Sequence, residues 1–379
     1  MINAFFDKVC FDYESSRFFS KYAVSAILDA MRKSLAFKGA RIMVTGHSGF
    51  SGTWLCHLLE AQGAEVLGFS RDSSSFSTIY PDEELTERFP AIFGSIEDAE
   101  ALTQAVMKFQ PEIVIHLAAQ SLVLEGYSDP VGTFKTNALG TAQVLQSSLT
   151  SHALKGVLIV TTDKVYVEGP EVKIESSPLG GGDPYSCSKV AAEEVVRAYR
   201  SIYRAAQVSL SVVRGGNIIG GGDWSQNRLV PDLIRATLNE SDLILRHPDS
   251  IRPWQHVLDL VFAYSLLAWN MLENPGPITN SEYNVGPNPE ANVSVQELLS
   301  LFAENDWPMS FKIQTGTNHE AGILLINSSK IKQATGWEPR LNTPRAVQLT
   351  AQWYLAVVRD KLSAHEETRR QILEYLKIG

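Results

Sequence analysis

Ala40-Arg41-Ile42-Met43-Val44-Thr45-Gly46-His47-Ser48-Gly49-Phe50-Ser51-Gly52 decides the fold. A short apolar run is followed at once by three glycines at three-residue spacing, and Thr53 to Gln62 has the pattern of an amphipathic helix. Strand, glycine turn and helix in succession are what a dinucleotide-binding unit requires. The glycines permit a sharp turn and let the backbone approach a pyrophosphate, whose charge is met by amides at the helix N-terminus. Without the flanking elements the same glycines would describe only a tight turn before a packed helix. In this context Gly46, Ser48, Gly49, Phe50 and Gly52 are expected to contact the dinucleotide.

The alternation continues downstream. Glu65 to Phe69, Ala91 to Phe93, Glu112 to His116, Gly156 to Val160 and Val208 to Val213 read as further strands. Helical patterns lie between them at Ile96 to Phe109, Pro130 to Thr150 and Tyr185 to Arg204. Strands and helices in alternation imply an α/β fold, a Rossmann-type doubly wound parallel sheet with ligands at the carboxyl ends of the strands. Beyond residue 214 turn-forming residues crowd in at Gly215-Gly216-Asn217, Gly220-Gly221-Gly222-Asp223 and Pro248 to Pro253, which marks a smaller, mainly C-terminal substrate-binding lobe. Tyr283-Asn284-Val285-Gly286 is expected to return to the sheet. The expected division is an N-terminal helical extension at 1–37, a dinucleotide-binding domain at 38–214 with return segments around 255–288, a substrate lobe at 215–254 and 289–360, and a C-terminal helix at 361–379. In the extension Ala23, Val24, Ile27, Leu28, Met31 and Leu35 have helical spacing and form an apolar face for the main body or a second subunit.

With 379 residues and 44% hydrophobic content the chain can bury a large core. No apolar run approaches the ~18 residues of a membrane span, and Asp7, Lys8, Asp12 and Glu14 interrupt the apolar core a signal peptide needs, so a cytoplasmic location without membrane contact is expected. The three cysteines, Cys10, Cys56 and Cys187, have no paired spacing, so no disulfide framework and no metal site is expected. A net charge of -9 argues against nucleic acid as a partner and leaves room for a local basic pocket that takes a phosphorylated ligand.

The chemistry is carried by Tyr185 and Lys189, four apart at the start of a helical segment and so on one face of it. A neighbouring ammonium favours phenolate, so a phenol that titrates near ~10 in water can act as a base closer to neutral pH. That is alcohol-oxidation chemistry. Thr162-Asp163-Lys164 precede this pair at the end of a strand, and in isolation they could be a solvated loop pair.

With these residues in view the chain resembles the extended short-chain dehydrogenase/reductases and, among them, the CDP-glucose 4,6-dehydratases, from about Gly39 to about Tyr354. The resemblance rests on Thr45 to Leu55, His116 to Val123, Thr136-Asn137, Thr162-Asp163-Lys164, Gly181 to Ser186, Arg214 to Trp224, Asn227 to Pro231, Ile251-Arg252-Pro253-Trp254-Gln255-His256-Val257 and His319-Glu320-Ala321. It implies an intramolecular redox reaction. Tyr185 takes the proton of a sugar 4-hydroxyl while NAD accepts the C4 hydride, water leaves across C5 and C6, and the hydride returns to C6. Asp163 matches the acid for the C6 hydroxyl, Thr162 the hydrogen-bond donor near C4, and Lys189 the partner of Tyr185. Lys164 stands where many relatives carry a glutamate base. It either loses its proton in the closed site or stabilises the C5 enolate while another group takes the proton. The resemblance further implies Ser70, Arg71, Ser95, Ile96, Leu117, Ala118 and Ala119 as cofactor contacts, and Gln120, Asn137, Asn217, Arg228, Arg252 and His256 as substrate contacts. Arg228 and Arg252 suit a diphosphate because guanidinium forks match its oxygens. His256 beside Trp254 equally fits a packed residue at a helix start. A nucleotide-diphosphate hexose is the expected substrate, and a homodimer or homotetramer the expected assembly.

Some positions depart from the family. Ser51 replaces a lysine in the glycine turn, Leu124-Glu125 stand where an arginine would follow, Ser95 replaces an adenine-binding aspartate, and Asn327 a late aspartate. After the second strand Phe69-Ser70-Arg71-Asp72-Ser73-Ser74 lacks the carboxylate that holds the ribose 2′-hydroxyl of NAD, and Arg71 with its serines fits a 2′-phosphate. NADP therefore stands beside NAD as a possible cofactor. Two further readings remain open: a nucleotide-sugar 4-epimerase, which needs no acid at Asp163, and a catalytically silent binding relative.

Overall fold

The computed structural model of the protein describes residues 37–377, apart from 72–88, 246, 277–280, 289–290 and 315–324. The helix expected between Ala23 and Leu35, the Asp72-Ser73-Ser74 run and His319-Glu320-Ala321 lie outside the described residues.

Seven parallel strands form the main sheet in the order β11-β6-β5-β4-β1-β2-β3. They are β1 (Arg41–Thr45), β2 (Glu65–Ser70), β3 (Ala91–Phe93), β4 (Ile113–His116), β5 (Gly156–Thr162), β6 (Ser209–Gly215) and β11 (Glu282–Val285). Central strands β1, β4, β5 and β6 are almost wholly buried, which explains their continuous apolar runs: a parallel sheet is covered on both faces. The strand order reverses between β1 and β4, and there the crevice for a ligand opens. Helices α1 (Phe50–Ala61), α2 (Ala99–Phe109), α3 (Val123–Ser128), α4 (Pro130–Phe134), α5 (Gly140–Ser148) and α6 (Pro184–Ala205) make the crossovers.

Two helices differ from expectation for local reasons. The segment read as one helix from Ile96 starts at Ala99, because the Asp98 side chain accepts the amides of Glu100 and Ala101 and caps it there. The segment read as one helix from Pro130 to Thr150 is broken: α4 runs into a π turn at Lys135–Leu139 before α5. At the centre of that turn Asn137 is bound by its side chain to the loop after β4, and such a π bulge accommodates that fixed point. Tyr283 to Val285 does return to the sheet, pairing with Val213 to Gly215.

The remaining elements are small pairs and covering helices. Strand β7 (Ile218–Ile219) pairs with β10 (Gln255–His256), β8 (Leu243–Leu245) with β13 (Phe311–Ile313), and β9 (Ile251–Pro253) with β12 (Asn292–Ser294). Helices α7 (Leu229–Leu238), α8 (Val257–Glu273), α9 (Val295–Glu304), α10 (Ser329–Thr335), α11 (Thr343–Tyr354) and α12 (Ala364–Lys377) complete the described chain. The last begins three residues after the expected start at 361. Its Tyr375 hydroxyl donates to buried Asp259 of α8, whose carboxyl burial raises to about 6. Among the described residues no helix is long and apolar enough to cross a membrane.

Candidate active site

The glycine turn is built by close approach. Gly46 has φ +76, and a Cβ there would stand 2.7 Å from the Ala118 nitrogen; a Cβ on Gly52 would stand 2.0 Å from the Gly46 carbonyl oxygen. Only glycine leaves room at either place, so β1, the N-terminus of α1 and the Leu117-Ala118-Ala119 segment after β4 meet at one point. Thr45 Oγ1 accepts the Ala118 amide at 3.4 Å and lies 2.7 Å from His116 Nδ1, which fixes the same segment from β1. Gly49 caps α1, and Phe50 touches Gly220 of the later glycine string. That string is held over α1 by Trp54, whose indole donates to the Gly221 carbonyl at 2.9 Å.

Ser70 lies inside the turn. Its hydroxyl accepts the Ser48 amide at 3.3 Å and lies 2.8 Å from His47 Nδ1, so it braces the turn. Burial lowers the His47 imidazole to about 4, against a hydrogen bond with Phe69, and it packs as a neutral ring over Gly68. Arg71 is exposed beyond β2, where its charge reaches Glu97. Beside it Ser95 accepts the Glu97 amide at 3.1 Å, and buried Ile96 packs against Gly140.

The groups expected to react lie around the end of β5. There Thr162 Oγ1 donates to Asp163 Oδ1 at 3.0 Å and accepts the Lys164 amide at 3.3 Å, closing a short 3-10 turn. Lys164 Nζ donates to Asp163 Oδ1 at 3.3 Å and to Asn217 Oδ1 at 3.4 Å. Asp163 is 2% exposed while the Lys164 side chain keeps 36% of its surface, so of the pair expected as a possible solvated loop only the acid is interior. Helix α6 enters opposite, with Pro184 in its first turn and Asp183 accepting the Ser186 amide as cap. It buries Tyr185 and Lys189 on one face.

The electrostatics of Tyr185 differ from expectation. Burial pushes its phenol above the usual range; the opposing pull comes first from the Lys164 ammonium, then from a hydrogen bond with Thr162 and from Arg228, while Asp163 adds to the rise. The neighbouring cation is thus Lys164. Lys189 instead donates to the Val160 carbonyl at 3.1 Å, and burial lowers it to about 8 against the attraction of Glu193.

Among the expected substrate contacts, two sit at the site. Asn217 holds Lys164, and Arg228, just before α7, spans from Asp223 at 3.6 Å to Ser121 at 3.5 Å with its charge felt at Tyr185. Arg252 lies on β9 and donates to the Ile251 carbonyl. Three others are tied into the chain by internal hydrogen bonds. Asn137 is buried; its Oδ1 accepts the Gln120 amide at 2.8 Å and its Nδ2 donates to the Gln120 carbonyl and the Ser188 hydroxyl, which uses both of its donors. The Gln120 side chain donates to Thr133 and accepts from Leu122. His256 is fully enclosed, caps α8 by accepting the Leu258 amide, and meets Trp54 edge-on. Burial lowers it to about 3, with Arg345 adding to the fall.

Gly216 and Gln255 were not singled out from the sequence. A Cβ on Gly216 would lie 3.5 Å from Asp163 Oδ2 and 3.9 Å from Gln255 Nε2, so Gly216 and Gln255 stand next to the acid. Gln255 is buried and donates to the Val285 carbonyl at 3.1 Å. Its place inside the Arg252 to Val257 string was the available signal.

The family model for GDP-mannose 4,6-dehydratase matches residues 43–350, a span that runs from β1 through α11 and contains every residue of this site. The chain belongs to that family. Among curated relatives it is similar to the CDP-glucose 4,6-dehydratase of Salmonella typhimurium, 35% identical over 90% of this chain and 97% of that one. It is 27% identical to a probable dTDP-glucose 4,6-dehydratase of Sinorhizobium fredii over 83% of this chain and 93% of that one. Among solved structures, the UDP-glucose 4-epimerase of Thermotoga maritima superposes with a TM-score of 0.73 at 23% identity, covering 84% of this chain and 99% of that one, and shares the fold.

Proposed function

We propose that the protein is a nucleotide-sugar 4,6-dehydratase that uses NAD and takes CDP-glucose as its hexose substrate. The observation that carries the reading is buried Asp163 in the Thr162-Asp163-Lys164 turn close to Tyr185: an acid stands beside the oxidation pair, where 4-epimerisation would not need one. The 35% likeness to a CDP-glucose 4,6-dehydratase supports the choice of substrate, and the lysine at 164 supports the same branch.

The residues present fit a dinucleotide, since the turn at Gly46 and Gly52 is closed too tightly to admit a Cβ and α1 presents its N-terminus there. When bound, NAD supplies the acceptor for the C4 hydride and returns that hydride to C6. Tyr185 removes the C4 hydroxyl proton. The resulting ketone acidifies C5-H; water or a base other than the Lys164 ammonium takes that proton, and C5 regains one as the hydride reaches C6, while Lys164, a donor held by Asp163 and Asn217, has a third N–H to stabilise the enolate oxygen. Asp163 protonates the C6 hydroxyl as it departs. The water released therefore takes its oxygen and one hydrogen from C6, and its second hydrogen balances the proton taken at C4. Arg228, anchored by Asp223, binds the diphosphate.

The test is mass spectrometry after incubation of the protein with CDP-, GDP-, UDP- and dTDP-hexoses. CDP-glucose is expected to lose the mass of one water. An isomer of unchanged mass would replace the reading with the 4-epimerase, a class also represented among the relatives.

Cofactor choice rests on Arg71. Because the Ser70 hydroxyl is committed to the glycine turn, Arg71 is the residue beyond β2 with which a 2′-phosphate would pair. Arg71→Ala is expected to weaken NADP by about 1.5–3 kcal/mol and leave NAD unchanged. Calorimetric titration with both dinucleotides checks this, and equal losses for the two would reject Arg71 as the discriminating residue.

A further inference from the structure

Two turns of α6 beyond Tyr185 and one beyond Lys189, Glu193 lies on the same buried face. It meets Arg214 of β6, whose Nε donates to Glu193 Oε1 at 2.9 Å and whose Nη2 donates to Oε2 at 2.5 Å. Neither side chain is more than 5% exposed. The pair reaches the catalytic turn from both ends. Before the turn, Thr161 Oγ1 donates to Glu193 Oε1 at 2.8 Å; after it, the Tyr166 hydroxyl accepts from Arg214 Nη1 at 2.8 Å and donates to Asn284 Oδ1 at 2.7 Å. Arg214 also donates to the Glu175 carbonyl at 3.0 Å, so its fork is committed to three partners.

We propose that Glu193 and Arg214 form a positioning pair that locks the helix bearing Tyr185 and Lys189 to the turn bearing Thr162, Asp163 and Lys164. This rests on the dehydratase reading, in which one bound sugar must meet Tyr185 at C4 and Asp163 at C6. A misplacement of about 1 Å between such groups costs on the order of a hundredfold in rate.

Stability alone does not account for the pair. Two charges taken out of water lose so much hydration that replacing a buried ion pair with apolar residues of like volume is often neutral or stabilising. Helix α6 is moreover already held by Ala192, Val196 and Tyr203 in the apolar core. What an apolar pair cannot supply is direction. The fork and the carboxylate fix orientation at five oxygen atoms, on Glu193, Tyr166 and Glu175 for Arg214, and through Thr161 for Glu193.

The experiment uses the double variant E193Q/R214M in the full chain, which removes both charges together and so leaves no unpaired buried charge. Its melting temperature and NAD content are expected to stay near wild type and KM within about threefold, while kcat falls about a hundredfold. A kcat that stays within twofold, or falls only in proportion to the folded fraction, overturns the proposal. Should the wild-type chain dehydrate no nucleotide hexose, the functional reading has failed, and the crystal structure of the double variant decides the pair by itself. A displacement of the α6 N-terminus against residues 163–165 by about 1 Å supports the pair, and superposition on wild type within error overturns it.

Discussion

Replacing Tyr185 by Phe is expected to lower turnover by about 10²–10⁴-fold while the protein keeps its dinucleotide and its fold. The substitution removes one oxygen and with it the hydrogen bond to Thr162, but keeps the ring and the backbone and Cβ that lie against Gly126. What is lost is the acceptor for the C4 hydroxyl proton. Its pH dependence has a definite sign. Burial raises the phenol above its usual value, so in the free protein the basic form gains population only on the alkaline side, and kcat/KM of the wild type rises with pH there. Lys164 is the first opposing influence, so Lys164→Ala moves that rise to still higher pH. Steady-state rates across pH, with dinucleotide measured after denaturation, check both statements. A Tyr185→Phe enzyme within a few-fold of wild type would require another base.

The elements that were legible in the sequence are those whose cause is local. A strand followed by Gly46, Gly49 and Gly52 has few alternatives, because Gly52 is closed off by Gly46 within the same turn, although the Cβ that Gly46 cannot carry is excluded by Leu117 and Ala118 after β4. The Tyr185 and Lys189 spacing likewise fixes their shared helix face whatever the rest of the chain does. Polar roles were less legible, because they depend on which distant atoms satisfy each group. Asn137, Gln120 and Ser70 read as ligand contacts from position, yet their hydrogen bonds go to Ser188, Thr133 and His47. Lys189 illustrates the same limit. Helix periodicity brings it to the face of Tyr185, but only the packing of α6 on β5 directs its ammonium to the Val160 carbonyl and leaves Lys164, from another segment, as the cation that acts on the phenol. Glu193 and Arg214 were invisible as a pair for a related reason: twenty-one residues separate them, and β6 beside β5 brings them together.

Asp163→Asn is expected to separate the two halves of the proposed reaction. Oxidation at C4 needs Tyr185 and the dinucleotide, whereas loss of the C6 hydroxyl needs a proton, because hydroxide is a poor leaving group. Asn is the same size, can accept from Thr162 and Lys164 as Asp163 does through Oδ1, and cannot give up a proton. Losing general acid catalysis at this point costs about 10²–10⁴-fold in the elimination step. Tyr185 should lose none of its capacity, since Asp163 raises its phenol and a neutral amide does not. The variant is therefore expected to reduce its bound cofactor within one turnover on mixing with substrate and then stall, with the reduced-nicotinamide absorbance rising and persisting while 4-keto-6-deoxy product appears very slowly. Stopped-flow absorbance with product analysis by mass spectrometry reads both events. The two carboxylate oxygens give the geometric reason for expecting the effect at this step: Oδ1 is the one committed to Thr162 and Lys164, while Oδ2 lies toward Gly216 and is the oxygen proposed to carry the proton. If the variant binds substrate and dinucleotide but no longer reduces the cofactor, or dehydrates at the full rate, Asp163 is not the elimination acid and the 4-epimerase reading gains the ground.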